Sequence, residues 1–199
     1  MKKSGFINSI LLLAILLLML ACDGVLVPDP IDPRIPKYTE DGNNAAGAFV
    51  NSSVWVSNIK FDFPYTYYIP FIKSWPEKDS LVIYFSGQNN NRDASITFSL
   101  TGVNILKFDD LTSLNGKIFQ LDGVNNSGFY YDYYTPVSYE DKGVGQIYLR
   151  NIKKNETYDN MIISGTFGFT VNYISGQEKK ITYGRFDYKI SENINFELE

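Results

Sequence analysis

From about Ala45 to the C-terminus, apolar residues alternate with polar ones in short runs, punctuated by Gly, Asn and Asp. A period of two marks antiparallel strands with one buried face and one wet face. The pattern predicts strands at 47–57, 81–87, 94–101, 117–121, 128–135, 144–152, 160–174 and 178–190. So many short strands in one domain-sized stretch imply an all-β fold, a single antiparallel β-sandwich or small barrel over residues 45–199. Ile105, Phe108, Leu111 and Leu114 recur at three-residue intervals with Gly116 behind them. That spacing suits a short helix, a 3₁₀ turn or an irregular loop over 105–115.

The clearest local pattern is the C-terminal hairpin. Met161, Ile163, Gly165, Phe167, Phe169, Val171 and Tyr173 share one face of a strand, and Ser164, Thr166, Thr170 and Asn172 share the other. Ser175-Gly176 marks the turn. On the return strand Ile181 and Tyr183 are apolar at odd positions, whereas Phe186, Tyr188 and Ile190 are apolar at even ones. A strand cannot turn its inner face outward without an inserted residue, so a β-bulge is expected at Gly184-Arg185. Phe186 would then lie over Gly165, a ring covering the gap a glycine leaves.

Upstream of the domain the texture is different. Lys2 and Lys3 precede an apolar run over 10–21, the length of a signal segment and too short to span a bilayer. Residues 1–21 therefore read as a lipoprotein signal peptide. The run ends in Met19-Leu20-Ala21-Cys22, which resembles the bacterial lipobox. The resemblance implies cleavage before Cys22, acylation of Cys22, and the membrane as a partner through a lipid anchor. Two or more acyl chains hold stably where one does not. Residues 22–44 carry Pro28, Pro30, Pro33 and Pro36 among Asp29, Asp32, Glu40 and Asp41. They read as a proline-rich tether, with a reach on the order of 60 Å if extended; the alternative is that part of it packs along the domain edge. The expected location is the cell envelope, at the outer membrane, on its periplasmic or surface-exposed face.

Composition then removes whole classes of chemistry. The chain has 199 residues, a formal net charge of -4, no histidine and one cysteine. An acidic chain without a basic block is a poor nucleic-acid binder. Without histidine there is no His-based acid/base catalysis and no Ser-His or Cys-His nucleophile. Ser57-Asn58-Ile59-Lys60 spells Ser-x-x-Lys, but it runs out of a predicted strand and lacks companion motifs. Asp109, Asp110, Asp122, Asp132, Glu140 and Asp141 read as solvated loop acids. The oxygen-rich loops 122–126 and 89–93 do not follow EF-hand spacing. The expectation is a protein that is not an enzyme and uses no metal and no cofactor.

What stands out is an aromatic content of 16%. One cluster is Phe61, Phe63, Tyr65, Tyr67, Tyr68, Phe71 and Trp75; another is Phe129, Tyr130, Tyr131, Tyr133 and Tyr134. Consecutive aromatics place rings on both faces of a strand, so one set stays outside the core. Tyr65, Tyr67, Tyr68, Trp75, Tyr130, Tyr131, Tyr133 and Tyr134 are therefore candidate ligand-binding residues, suited to stacking on sugar rings or gripping a partner. The competing reading is cross-strand aromatic pairing that serves the sheet alone. The function expected is a non-catalytic binding module for carbohydrate or another envelope or host ligand. The alternative is a structural or assembly lipoprotein that contacts another envelope protein.

Three segments carry a family resemblance: Gly47-Ala48-Phe49-Val50-Asn51-Ser52-Ser53-Val54-Trp55, Ile163-Ser164-Gly165-Thr166-Phe167-Gly168-Phe169 and Gly184-Arg185-Phe186-Asp187. In these the chain resembles a family of short bacterial envelope lipoproteins built on a domain of unknown function. That family ends in similar I-S-G-T-F and G-R-F-D motifs. The resemblance implies a secreted, lipid-anchored β domain and no particular activity. Its motif positions here are Trp55, Gly165, Phe167, Gly184, Arg185, Phe186 and Asp187. Ser52-Ser53 stands where the family has Gly-Lys, at the first turn. Arg185 and Asp187 lie two apart, share a strand face, and suit an ion pair or the fixing of a turn. Asp79-Ser80-Leu81 also resembles the O-glycosylation acceptor of some bacterial envelopes.

Overall fold

The computed structural model describes residues 32–57, 61–62, 65–66, 70–132, 141–155 and 160–199, with the backbone alone at 61–62 and 65–66. The signal segment, Cys22, Tyr67, Tyr68, Tyr133 and Tyr134 lie outside the described residues. The strands are β1 (Ala45–Val50), β2 (Ser53–Ser57), β3 (Phe61–Asp62), β4 (Tyr65–Thr66), β5 (Phe71–Trp75), β6 (Ser80–Asn89) and β7 (Arg92–Thr101). They continue with β8 (Lys117–Leu121), β9 (Ser127–Asp132), β10 (Val144–Asn155), β11 (Asn160–Asn172), β12 (Glu178–Ser191) and β13 (Phe196–Leu198).

One large sheet carries all of these except the small β3–β4 ribbon. From β1 it runs one way through β2, β6, β7 and β9, and the other way through β12, β11, β10 and β8, always antiparallel. The fold is all-β, and the sheet curls into a half-barrel. A single bridge, Gly128 to Gly143, joins β9 to the start of the β10 arm. β5 adds to the first half of β6, and β13 pairs with β5 in parallel, making the sheet mixed. Neither of these two short strands is visible as alternation in the sequence.

The predicted strand 47–57 is two strands, because Asn51 turns the chain. Asn51 has φ 54. Its N–H donates to the Lys180 carbonyl and its side-chain oxygen accepts from the Lys180 N–H, each at 2.8 Å. Asparagine tolerates this left-handed conformation, so the turn closes with Asn51 at the position that needs positive φ. The segment 105–115 contains a 3₁₀ turn over Phe108–Leu114, with Ile105, Phe108, Leu111 and Leu114 all buried. It packs where β6 begins: Ser74 Oγ donates to the Ile105 carbonyl, and Phe108 meets Phe196 edge-on at 5.4 Å.

The concave side of the sheet is the core. Phe85, Phe98, Phe167, Phe169, Phe186 and Tyr188 pack there with ring centroids 5.1–6.5 Å apart. Such ring contacts contribute about 0.5–1.5 kcal/mol per pair beyond area burial. Trp55 is fully buried and donates its indole N–H to the Ala94 carbonyl at 3.2 Å. Phe186 sits directly across from Gly165, and a Cβ on that glycine would lie 2.7 Å from the ring. Gly184 makes the same kind of room for Phe167.

The parity flip in β12 is a bulge, one step earlier than Gly184-Arg185. Phe167 pairs with Gly184 but Phe169 with Ile181; on the other side Gly47 pairs with Arg185 but Phe49 with Thr182. The two shifts overlap at Tyr183, which is paired in neither register and has φ 54. Only this insertion lets Ile181 and then Phe186, Tyr188 and Ile190 all face inward.

Part of the proline-rich segment packs along the domain edge, the alternative its sequence left open. Residues 32–44 are a strap on the outer face of β1 and β12. Ile35 is buried, and Pro36 lies over Gly47. The Arg34 guanidinium lies 4.9 Å from the Phe49 ring centroid, and Arg150 lies 4.8 Å from that of Tyr38. Asn44 accepts the Lys189 N–H at 2.9 Å. Prolines that suit an extended tether suit a strap equally, since neither needs ladder N–H groups.

Candidate functional site

The sheet turns a second face outward along β5, β6, β7 and β9. Alternation decides which residues it carries. Ile72, Leu81, Ile83, Phe85, Ile96, Phe98 and Tyr130 point into the core, so Phe71, Trp75, Tyr84, Thr97, Phe129 and Tyr131 point away from it. Register then assembles a row: Phe71 lies opposite Tyr84, Tyr84 opposite Thr97, and Thr97 opposite Phe129. All four are half-buried. Tyr131 stacks on Phe129 at 6.0 Å with an interplanar angle of 5°. Between the rings stand the hydroxyls of Ser80, Ser86, Ser95, Ser99 and Thr101.

Two candidates from the sequence, Trp75 and Tyr131, share this face but not one spot. Trp75 is in register with Ser80 and Thr101, and Tyr131 with Ser95 and Ser86. They are separated by about 20 Å along the strands. The Trp75 indole N–H donates to Glu199 at 2.5 Å, and Lys73 lies 5.1 Å from its ring centroid. Lys73 is itself paired with Glu199 at 2.8 Å. Tyr65 starts β4, where its backbone pairs with Asp62.

Tyr130 does not belong to the face. It is 1% exposed on the core side of β9. Consecutive strand residues point to opposite faces, so Tyr130 and Tyr131 cannot serve one surface. Its hydroxyl accepts from the Asn89 amide at 2.9 Å, and burial pushes its pKa up to about 12. Phe71, Tyr84 and Phe129 are the residues the candidate list lacks. Tyr84 sits in Leu81-Val82-Ile83-Tyr84-Phe85, outside both aromatic clusters, and only cross-strand register brings it to the centre of the row.

The motif residues have structural positions. Trp55, Gly165, Phe167, Gly184 and Phe186 build the core, as above. Arg185 and Asp187 point to the outer face but lie under the strap, 4% and 2% exposed. The Asp187 carboxylate accepts from Thr39 Oγ1, Ser164 Oγ and the N–H groups of Asp41, Gly42 and Asn43, at 2.5–3.2 Å. It fixes the turn that ends the strap. Burial alone would raise its pKa, but these hydrogen bonds outweigh burial and hold it below the ordinary aspartate range.

The loop acids are occupied in turns and pairs. Asp122 accepts from the N–H groups of Val124, Asn125 and Asn126, which hold its pKa at about 2. Asp110 caps the 3₁₀ turn by accepting from Leu106 and Lys107 N–H. Asp109 pairs with Lys154 at 2.9 Å, and buried Asp141 accepts from Ile174 N–H. Among the described residues, no group of three or more acidic or thiol side chains converges as a metal site. Comparison with protein-family models, with curated proteins and with solved structures found no match for this chain.

Proposed function

We propose that this chain is a non-catalytic carbohydrate-binding module of the bacterial cell envelope, held at the outer membrane by acylated Cys22. The observation that carries the reading is the registered outward row Phe71–Tyr84–Thr97–Phe129, flanked by Tyr131 and Trp75. Flat rings offer apolar faces to the C–H surface of a sugar, and their phenol and indole groups add polar contacts. The interleaved serine and threonine hydroxyls can exchange hydrogen bonds with sugar hydroxyls. The Phe and Tyr side chains of the row lose little conformational entropy on binding because each has only two χ torsions to fix.

The test is a titration of the full chain in detergent against neutral oligosaccharide fragments of envelope polysaccharides. Tyr84→Ala at the centre and Tyr131→Ala at the rim are expected to weaken binding by about tenfold each, the order expected for one lost ring contact. Their thermal midpoints should stay within a few degrees of the parent. Unchanged binding in both variants would remove the face as the ligand site. Cys22→Ala is expected to shift the protein from the membrane to the soluble fraction of lysed cells; continued membrane retention would refute the lipid anchor.

A further inference from the structure

A separate cleft of about 460 Å³ opens where the β1–β2 turn, the β6–β7 hairpin, the end of β9 and the β11–β12 hairpin meet. It lies on the other side of β9 from the aromatic face, since Tyr130 lines it and Tyr131 does not. Each of its lining side chains carries a polar atom. Its volume suits a small ligand, and its lining excludes an apolar one.

Three features narrow the ligand. First, Asn89 and Tyr130 form a fixed polar wall, the Asn89 amide donating to the Tyr130 hydroxyl at 2.9 Å. Tyr130 is anchored in turn, its backbone carbonyl accepting the Tyr173 hydroxyl at 2.8 Å. Second, Gln177 stands exposed at the rim and offers a donor and an acceptor. Third, Arg92 and Lys179 outnumber Asp132 among the charged lining residues, on a chain whose net charge is -4. Lys179 is held 3.9 Å from Asp132, and both Arg92 and Asp132 have partners within the chain. Lys179 and Asp132 therefore stand side by side before any ligand arrives. A guanidinium recognises a planar carboxylate with two parallel hydrogen bonds, while amides and a phenol suit hydroxyls.

We infer that this cleft is a second binding site, specific for an acidic sugar: the carboxylate of a uronic acid seats on Arg92 and a hydroxyl on the Gln177 amide. The site is independent of the aromatic face and of the function proposed for it.

The experiment titrates the full chain in detergent with trigalacturonate, with maltotriose as the neutral probe. Trigalacturonate is expected to bind and maltotriose to bind at least about tenfold more weakly, with affinity for the acid falling as salt rises. Arg92→Gln should cost about tenfold for the acidic probe and Gln177→Ala a smaller factor. Both residues are exposed, so unfolding is not expected, and a melting curve checks it. Tyr84→Ala should leave this binding unchanged. Absence of trigalacturonate binding, equal binding of both probes, or full affinity in folded Arg92→Gln would overturn the assignment. Loss of the acidic probe in Tyr84→Ala would move its site to the aromatic face.

Discussion

Asp187 shows how much of this fold hangs on one carboxylate. Five donors from the strap and from β11 converge on it. Its folded pKa is depressed, so its contribution is fully present above the unfolded aspartate value near ~3.9 and is lost as pH falls through the lower folded value. Urea unfolding followed by circular dichroism should therefore show stability declining below about pH 4. Asp187→Asn should flatten that decline and cost about 2 kcal/mol at neutral pH, because a charged acceptor is replaced by a weaker neutral one. Gly165 is the matching steric case. Gly165→Ala would press a methyl group on the Phe186 ring and the Tyr148 carbonyl, with an expected loss of about 1–3 kcal/mol by the same measurement. The glycine and the ring were legible together in the sequence, because the parity of β12 places Phe186 at that height. The destination of Asp187 was not legible, since four of its five donors lie 144–148 residues upstream in a segment without periodicity.

At the scale of the element, β12 and β9 carry opposite lessons. In β12 the alternation breaks, and a broken alternation has one physical remedy, an inserted residue. Deleting Tyr183 would remove that residue and turn Phe186, Tyr188 and Ile190 outward or Ile181 with them. The expected result is a chain that loses its near-ultraviolet dichroism and its cooperative melt; a cooperatively folded deletion variant would show that the bulge is dispensable. In β9 nothing breaks, but consecutive aromatics hide which ring is wet. Phe129, Tyr130 and Tyr131 are all large rings favoured in strands, so composition groups them, while the pleat sends Tyr130 to the core and its neighbours to the outer face. Pairing with β7 then settles which of the two sets is inside.

At the scale of the whole molecule, the strap changes what counts as the domain. Its seat covers Arg185 and Asp187, two ionisable side chains that would otherwise face water on β12. A chain beginning at Ala45 should therefore be less stable than one beginning at Asp32, with a thermal midpoint lower by several degrees; equal midpoints would return residues 32–44 to the role of a plain tether. The half-barrel also separates two surfaces. The outward row of β5, β6, β7 and β9 and the polar cleft at the strand ends lie on opposite sides of β9, so substitutions in one should leave the other intact.

Alternation by itself determined the all-β class, the C-terminal hairpin and the existence of a bulge, because each follows from the side a residue faces relative to its immediate neighbours. Composition determined the absence of histidine chemistry. Only the tertiary structure decided that one curled sheet, and not two stacked ones, encloses the core, that half of the apparent tether is a strap, and that Tyr84 and Phe71 join Phe129 in a row while Tyr130 leaves it. Those outcomes depend on which strands pair and in what register. Backbone hydrogen bonds between distant segments set that register, and they use groups that every residue type shares.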